Sequence, residues 1–168
     1  MRKLSALALA FTLASAVAAG QEHSAKPNPA AAMKPMHTIM NSADITWGDQ
    51  PPGLPPGAKM ALLAGDPSKP GLFIVRMKAP DGYTIPAHWH PTAESLTVIS
   101  GTFNLQTGDG ANLGPATALK AGGFASMPPN MRHKAVCQGD TEVQITAMGP
   151  FQITYVNPAD DPRKPLGK

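Results

Sequence analysis

From Met60 to Val156 the chain is broken into nine apolar runs of four to six residues, each followed within a few positions by a glycine, a proline or an aspartate beside one of them. Runs this short suit strands, whereas a packed helix needs roughly ten residues or more of sustained period. The pattern therefore predicts strands at Met60–Ala64, Leu72–Met77, Thr84–His88, Ser95–Ser100, Phe103–Gln106, Phe124–Met127, His133–Cys137, Val143–Met148 and Phe151–Val156. The separators Gly65-Asp66-Pro67, Asp81-Gly82, Gly108-Asp109-Gly110 and Gly139-Asp140 are strong turn formers. Many short strands without a long helical period make an all-β chain, an antiparallel sandwich or barrel. With Gly 16 and Pro 19 among 168 residues, turn formers are about one residue in five. That stays below the level of about 25–30% that marks disordered chains, and the glycines lack the three-residue period of collagen.

The first twenty residues have a separate logic. Met1-Arg2-Lys3 is basic, Leu4 to Ala19 is apolar apart from Ser5, Thr12 and Ser15, and Ala16-Val17-Ala18 fits a cleavage site. Residues 1–20 are thus expected to be a signal peptide, and the mature chain periplasmic or secreted. The apolar stretch falls short of the roughly 20 residues a spanning helix needs, so no membrane span is expected after cleavage. Loss of Arg2 and Lys3 leaves 12 basic against 11 acidic side chains, which supplies no phosphate-binding surface and argues against a nucleic-acid partner. The single cysteine, Cys137, excludes an intramolecular disulfide even in an oxidising compartment.

Residues 21–43 show no sustained period and read as a flexible arm. Within it Met33, Met36, His37 and Met40 offer soft ligands of the kind copper favours. Pro35 interrupts any helical face, however, so a linker is the preferred reading. Gln50 to Gly57, QPPGLPPG, reads as a rigid loop or extended cover. Residues 44–157 carry the strand signals, and 158–168 read as a charged, proline-rich surface tail.

Three histidines stand where chemistry could gather. His88 and His90, two apart, point to one face of a strand. Glu94 has the same parity, continued by Leu96 and Val98, so that a polar face leads into an apolar interior. His133 opens another strand and could close the site from across the sheet. Three imidazoles and a carboxylate suit one divalent transition metal (Fe, Mn, Zn, Ni or Cu) with room left for water or substrate. Arg76, Tyr83 and Tyr155 are further polar groups, with surface or core roles preferred.

The framing of these residues resembles the cupin family. Its first motif matches at Gly82, His88, His90, Glu94 and Gly101 within GYTIPAHWHPTAESLTVISG, and its second at Gly122, Pro128 and His133 within GGFASMPPNMRHKAVC. The second motif departs at Asn130, where glycine is usual, and at Cys137, where asparagine is usual. Asparagine is the residue after glycine that best tolerates a left-handed turn. Cys137 shares parity with His133 and is expected to be a packed core thiol. The resemblance implies a cupin-type β-barrel (a double-stranded β-helix or jelly roll) with His88, His90, Glu94 and His133 as metal ligands. It further implies a metal-dependent enzyme, an oxygenase before an isomerase or decarboxylase, acting on a small organic substrate. The alternative is a non-catalytic cupin that binds or senses a metal or small ligand. A homodimer is also among its implications. Phosphate loops, nucleophile elbows and CxxC motifs are absent from the sequence.

Overall fold

In a computed structural model, which describes residues 37–108 and 112–164, the apolar runs become antiparallel strands. Residues 1–20, expected to be a signal peptide, the expected arm as far as residue 36 and the tail from 165 on lie outside the described residues. In chain order the strands are β1 (Gly48–Asp49), β2 (Lys59–Ala64), β3 (Gly71–Ala79), β4 (Thr84–Trp89) and β5 (Glu94–Gly108). They continue with β6 (Thr117–Lys120), β7 (Phe124–Met127), β8 (Arg132–Gly149) and β9 (Thr154–Tyr155). Two 3-10 turns, Ser42–Asp44 and Pro158–Asp160, flank them. Among the described residues no helix is long and apolar enough to cross a membrane.

Two long strands, β5 and β8, organise the barrel by running side by side from Glu94↔Ala147 to Gly108↔Arg132. The second half of β8 pairs with β3, which continues the ladder through β2 to β1, while β7 lies beside the first half of β5. The first half of β8 pairs with β4 and through it β9, while β6 lies beside the second half of β5. Each long strand thus serves both halves of the antiparallel barrel.

This corrects the expected division into strands, though nine are found as nine were expected. Ser95–Ser100 and Phe103–Gln106 are one strand, as are His133–Cys137 and Val143–Met148, because the glycines between them bend the chain without ending its ladder. Gly101 shows why. Its φ is +74°, and a Cβ there would lie 2.5 Å from the Asp140 carbonyl oxygen and 2.8 Å from the Thr141 Cα. Only a residue without a side chain permits β5 and β8 to approach so closely at the bend. The register shifts at this bend. The buried positions Glu94, Leu96 and Val98 give way to Phe103 and Leu105, so the inward parity changes by one residue.

Two further strands, β1 and β6, carry no apolar alternation. Thr117–Lys120 is mostly exposed and forms by edge pairing with β5, a contribution that side-chain pattern does not report. The last predicted strand shrinks to Thr154–Tyr155 because Phe151 to Ile153 turn towards the interior cavity instead of joining a ladder. Asn130 adopts φ 66°, the left-handed conformation expected of it, and its N–H donates to the His90 carbonyl at 2.8 Å.

The core between the two halves contains Met77, Leu96, Val98, Phe103, Met127 and Val143, all at most 3% exposed. Burying each such side chain contributes about 1.5–3 kcal/mol. Cys137 belongs to this cluster, and burial pushes its thiol up to about 11.

Candidate metal centre

The barrel ladder brings the four singled-out residues into one place. His88 on β4 lies directly opposite His133 on β8. His90 follows two residues after His88, and all three imidazoles are buried, as is Glu94. The carboxylate arrives by a different route from the one its parity suggested. A bend at Pro91-Thr92 separates β4 from β5, so Glu94 opens a new strand and is placed by its pairing with Met127 and Ala147.

Ring centroids lie 4.1 Å apart for His88 and His133, 5.0 Å for His88 and His90, and 5.3 Å for His90 and His133. One ring nitrogen from each of the three lies within 4.8 Å of the other two. Each Nδ1 meets a backbone carbonyl: His88 the Pro86 oxygen at 2.7 Å, His90 the Gln152 oxygen at 2.7 Å and His133 the Met131 oxygen at 3.0 Å. A carbonyl can only accept, so every Nδ1 carries the hydrogen and every Nε2 keeps its lone pair. Glu94 Oε2 faces two of those lone-pair atoms, 3.3 Å from His133 Nε2 and 3.5 Å from His90 Nε2. It is buried and receives no hydrogen bond among the described residues.

A protonated His90 could satisfy that oxygen, but burial opposes that protonation. It holds His88 well below the usual histidine range, helped by the neighbouring His133 and His90, and burial likewise lowers His90. With each Nδ1 turned to a carbonyl, the neutral rings converge their Nε2 lone pairs on the Glu94 carboxyl oxygen, so the centre gathers acceptors. A cation of the kind that imidazole and carboxylate prefer fits this donor set.

Above the centre is a cavity of about 370 Å³ whose floor includes His88, His90 and Glu94. Its wall is apolar, with Phe73, Val75, Met77, Ile85, Ile145 and Phe151 among the contributors. Phe151 stacks on His90 at 4.2 Å and 20° and meets Phe73 edge-on at 5.1 Å. The loop expected to act as a cover lines the mouth with Pro51, Gly53 and Leu54. Two tyrosines fasten it: Tyr155 donates to the Gly53 carbonyl at 2.8 Å and Tyr83 to the Pro55 carbonyl at 2.7 Å. Both rings are buried, in keeping with core roles.

Other singled-out residues stand apart. Arg76 bonds Glu142 at 3.1 Å and Gln144 at 3.0 Å and does not line the cavity. His37 and Met40 are exposed, and Met33 and Met36 lie outside the described residues. Three contributors escape a reading of the sequence: Phe151, the Gln152 carbonyl and Arg163. A backbone carbonyl leaves no side-chain signal, and Arg163 reaches the cavity from the tail.

Residues 75–149 match the family model for the cupin domain, a match that supports membership of the cupin superfamily. Among solved structures, a candidate acetylacetone dioxygenase from Methylibium petroleiphilum is similar with a TM-score of 0.59 and 22% identity, over 77% of this chain and 88% of that one. An RmlC-like cupin from Shewanella frigidimarina gives 0.52 and 21%, over 67% and 91%. The fold is that of the cupins. A salicylate 1,2-dioxygenase from Pseudoaminobacter salicylatoxidans is similar with a TM-score of 0.53 at 14% identity, over 64% of this chain and 31% of that one. No curated protein matches the chain. Within the cupin barrel, the motif glycine Gly101 is the bend of β5, and His88 and His133 face each other across the β4–β8 pairing.

Proposed function

We propose that the chain is an exported metal-dependent enzyme of oxygenase type, in which His88, His90, Glu94 and His133 hold one divalent transition metal ion, iron, manganese, zinc, nickel or copper. The observation that carries this reading is Glu94 Oε2, buried without a donor and facing two imidazole lone pairs. When bound, such an ion supplies Lewis acidity and, where redox-active, one-electron chemistry. The chain's own groups do the rest. Three carbonyls fix the imidazole tautomers, Phe151 holds the His90 ring from one face, and the apolar wall keeps water away from a small organic substrate. Two of the similar structures are described as dioxygenases, which supports the oxygenase class. Export rests on the amino-terminal pattern and is tested by amino-terminal sequencing of the mature protein.

Metal analysis of the protein purified from its native compartment, followed by oxygen uptake with iron, manganese and copper each supplied against diketone and phenolic substrates, tests the activity. Absence of a stoichiometric metal would end the proposal. A second reading, a non-catalytic metal or ligand carrier, has one observation in its favour. Among the described residues the polar lining beyond His88, His90 and Glu94 is Ser68, Gln152 and Arg163, which includes no group suited to shuttle protons near neutral pH. Stoichiometric metal and ligand binding without turnover would select that reading.

A further inference from the structure

Eighteen of the described residues line the cavity, and Arg163 is the only lysine or arginine among them. It comes from the segment after the last strand, and its side chain is 43% exposed, as befits a residue at the rim. Its orientation is fixed by three bonds. Nε donates to Asp161 Oδ1 at 2.7 Å, and Nη2 donates to Asp161 Oδ2 at 2.9 Å and to the Ile153 carbonyl at 3.0 Å. Nη1 makes no hydrogen bond among the described residues. It points near Gly53, where an added Cβ would come within 3.8 Å of it. Gly53 also lines the mouth, so the free edge of the guanidinium borders the opening.

We propose that Arg163 is the specificity residue of this cavity and that the cavity accepts a compact, mostly apolar molecule bearing a single carboxylate, whose charge meets Nη1 while its apolar body lies against the wall. The inference rests on the reading of this cavity as the substrate site, though not on which metal lies at its floor. Asp161 serves as the positioning residue, holding the guanidinium edge-on. A volume of about 370 Å³ lies at the small end for ligand sites, which limits the molecule to about one ring or a short chain. One cation at the rim, already paired with Asp161, suits a single negative charge better than a multiply charged group such as phosphate.

The test compares benzoate with its uncharged isostere benzamide by titration calorimetry on the purified protein as isolated and after metal is stripped. Wild type is expected to bind benzoate more tightly than Arg163→Gln does, by about fivefold, the range for a partly exposed ion pair. Benzamide should bind both proteins equally, which also shows that the variant is folded. Asp161→Asn, which loosens the hold on the guanidinium, should lower the affinity for benzoate and leave that for benzamide unchanged. An unchanged benzoate-to-benzamide ratio in Arg163→Gln, or failure of wild type to bind either compound, overturns the assignment. An Arg163-dependent preference in a protein that takes up no metal would leave this inference standing and remove the metal reading. Metal uptake with no such preference would do the reverse.

Discussion

Replacing Glu94 with glutamine should change stability in opposite directions with and without metal. In the metal-free protein the carboxylate oxygen Oε2 is buried, lacks a donor, and lies 3.3 and 3.5 Å from two imidazole nitrogens that are themselves acceptors. A glutamine amide can place N–H donors at that spot, turning acceptor–acceptor contacts into hydrogen bonds. Leaving a buried polar group unsatisfied costs about 1–3 kcal/mol. Glu94→Gln should therefore stabilise the metal-free protein by about that amount, which for a domain of this size is roughly 3–10 °C in Tm. With metal present the sign reverses, because the amide is a poorer ligand than the carboxylate. Affinity should fall by at least the tenfold to hundredfold that altering a metal ligand's partner group costs. Thermal melts followed by circular dichroism, on both proteins with a chelator and with saturating zinc or manganese, read both signs. If Glu94→Gln lowers Tm equally in both conditions, Glu94 is a structural residue and the argument from its orphaned oxygen is wrong.

His90→Ala should abolish stoichiometric metal binding in elemental analysis while leaving a cooperative thermal transition, because His90 lies beyond the end of β4 and outside the apolar core. Burial holds His88 and His90 below the ordinary value near 6.5, so below that pH the unfolded metal-free chain binds more protons than the folded one. Denaturant titrations of the metal-free protein should accordingly show stability falling as pH drops through about 6.5, and a flat response over this window would count against buried neutral imidazoles. Cys137, buried and raised to about 11, should stay unmodified by a thiol reagent at pH 8 in the native protein and react on unfolding, as mass spectrometry would show.

The all-β class and seven of the strands could be read from the sequence because each depends on local period and punctuation. His88 and His90 were legible for the same reason, as period two alone puts them on one face. The joining of strands at Gly101 and Gly139 was not, since a glycine signals a change of direction without saying whether hydrogen bonding continues past it. Glu94 carried the expected parity, yet Pro91 breaks the strand on which that parity was counted. Its place comes from long-range pairing with Met127 and Ala147. Arg163 was read only as part of a surface tail, because nothing near it in sequence reports that the tail folds back on the cavity mouth.

The carbonyls that fix the three imidazoles differ in reach. His88 and His133 each donate to the carbonyl two residues earlier on their own chain, so β4 and β8 orient them with no help from elsewhere. His90 donates to Gln152, 62 residues away, in the same segment that supplies the stacked ring of Phe151 and the Ile153 carbonyl held by Arg163. Two legs of the centre are thus locally self-aligned, and the third is aligned only when the carboxy-terminal segment has docked. The seating of that segment sets the aim of His90 and the position of the rim together, so a disturbance at the mouth reaches the centre through this one imidazole.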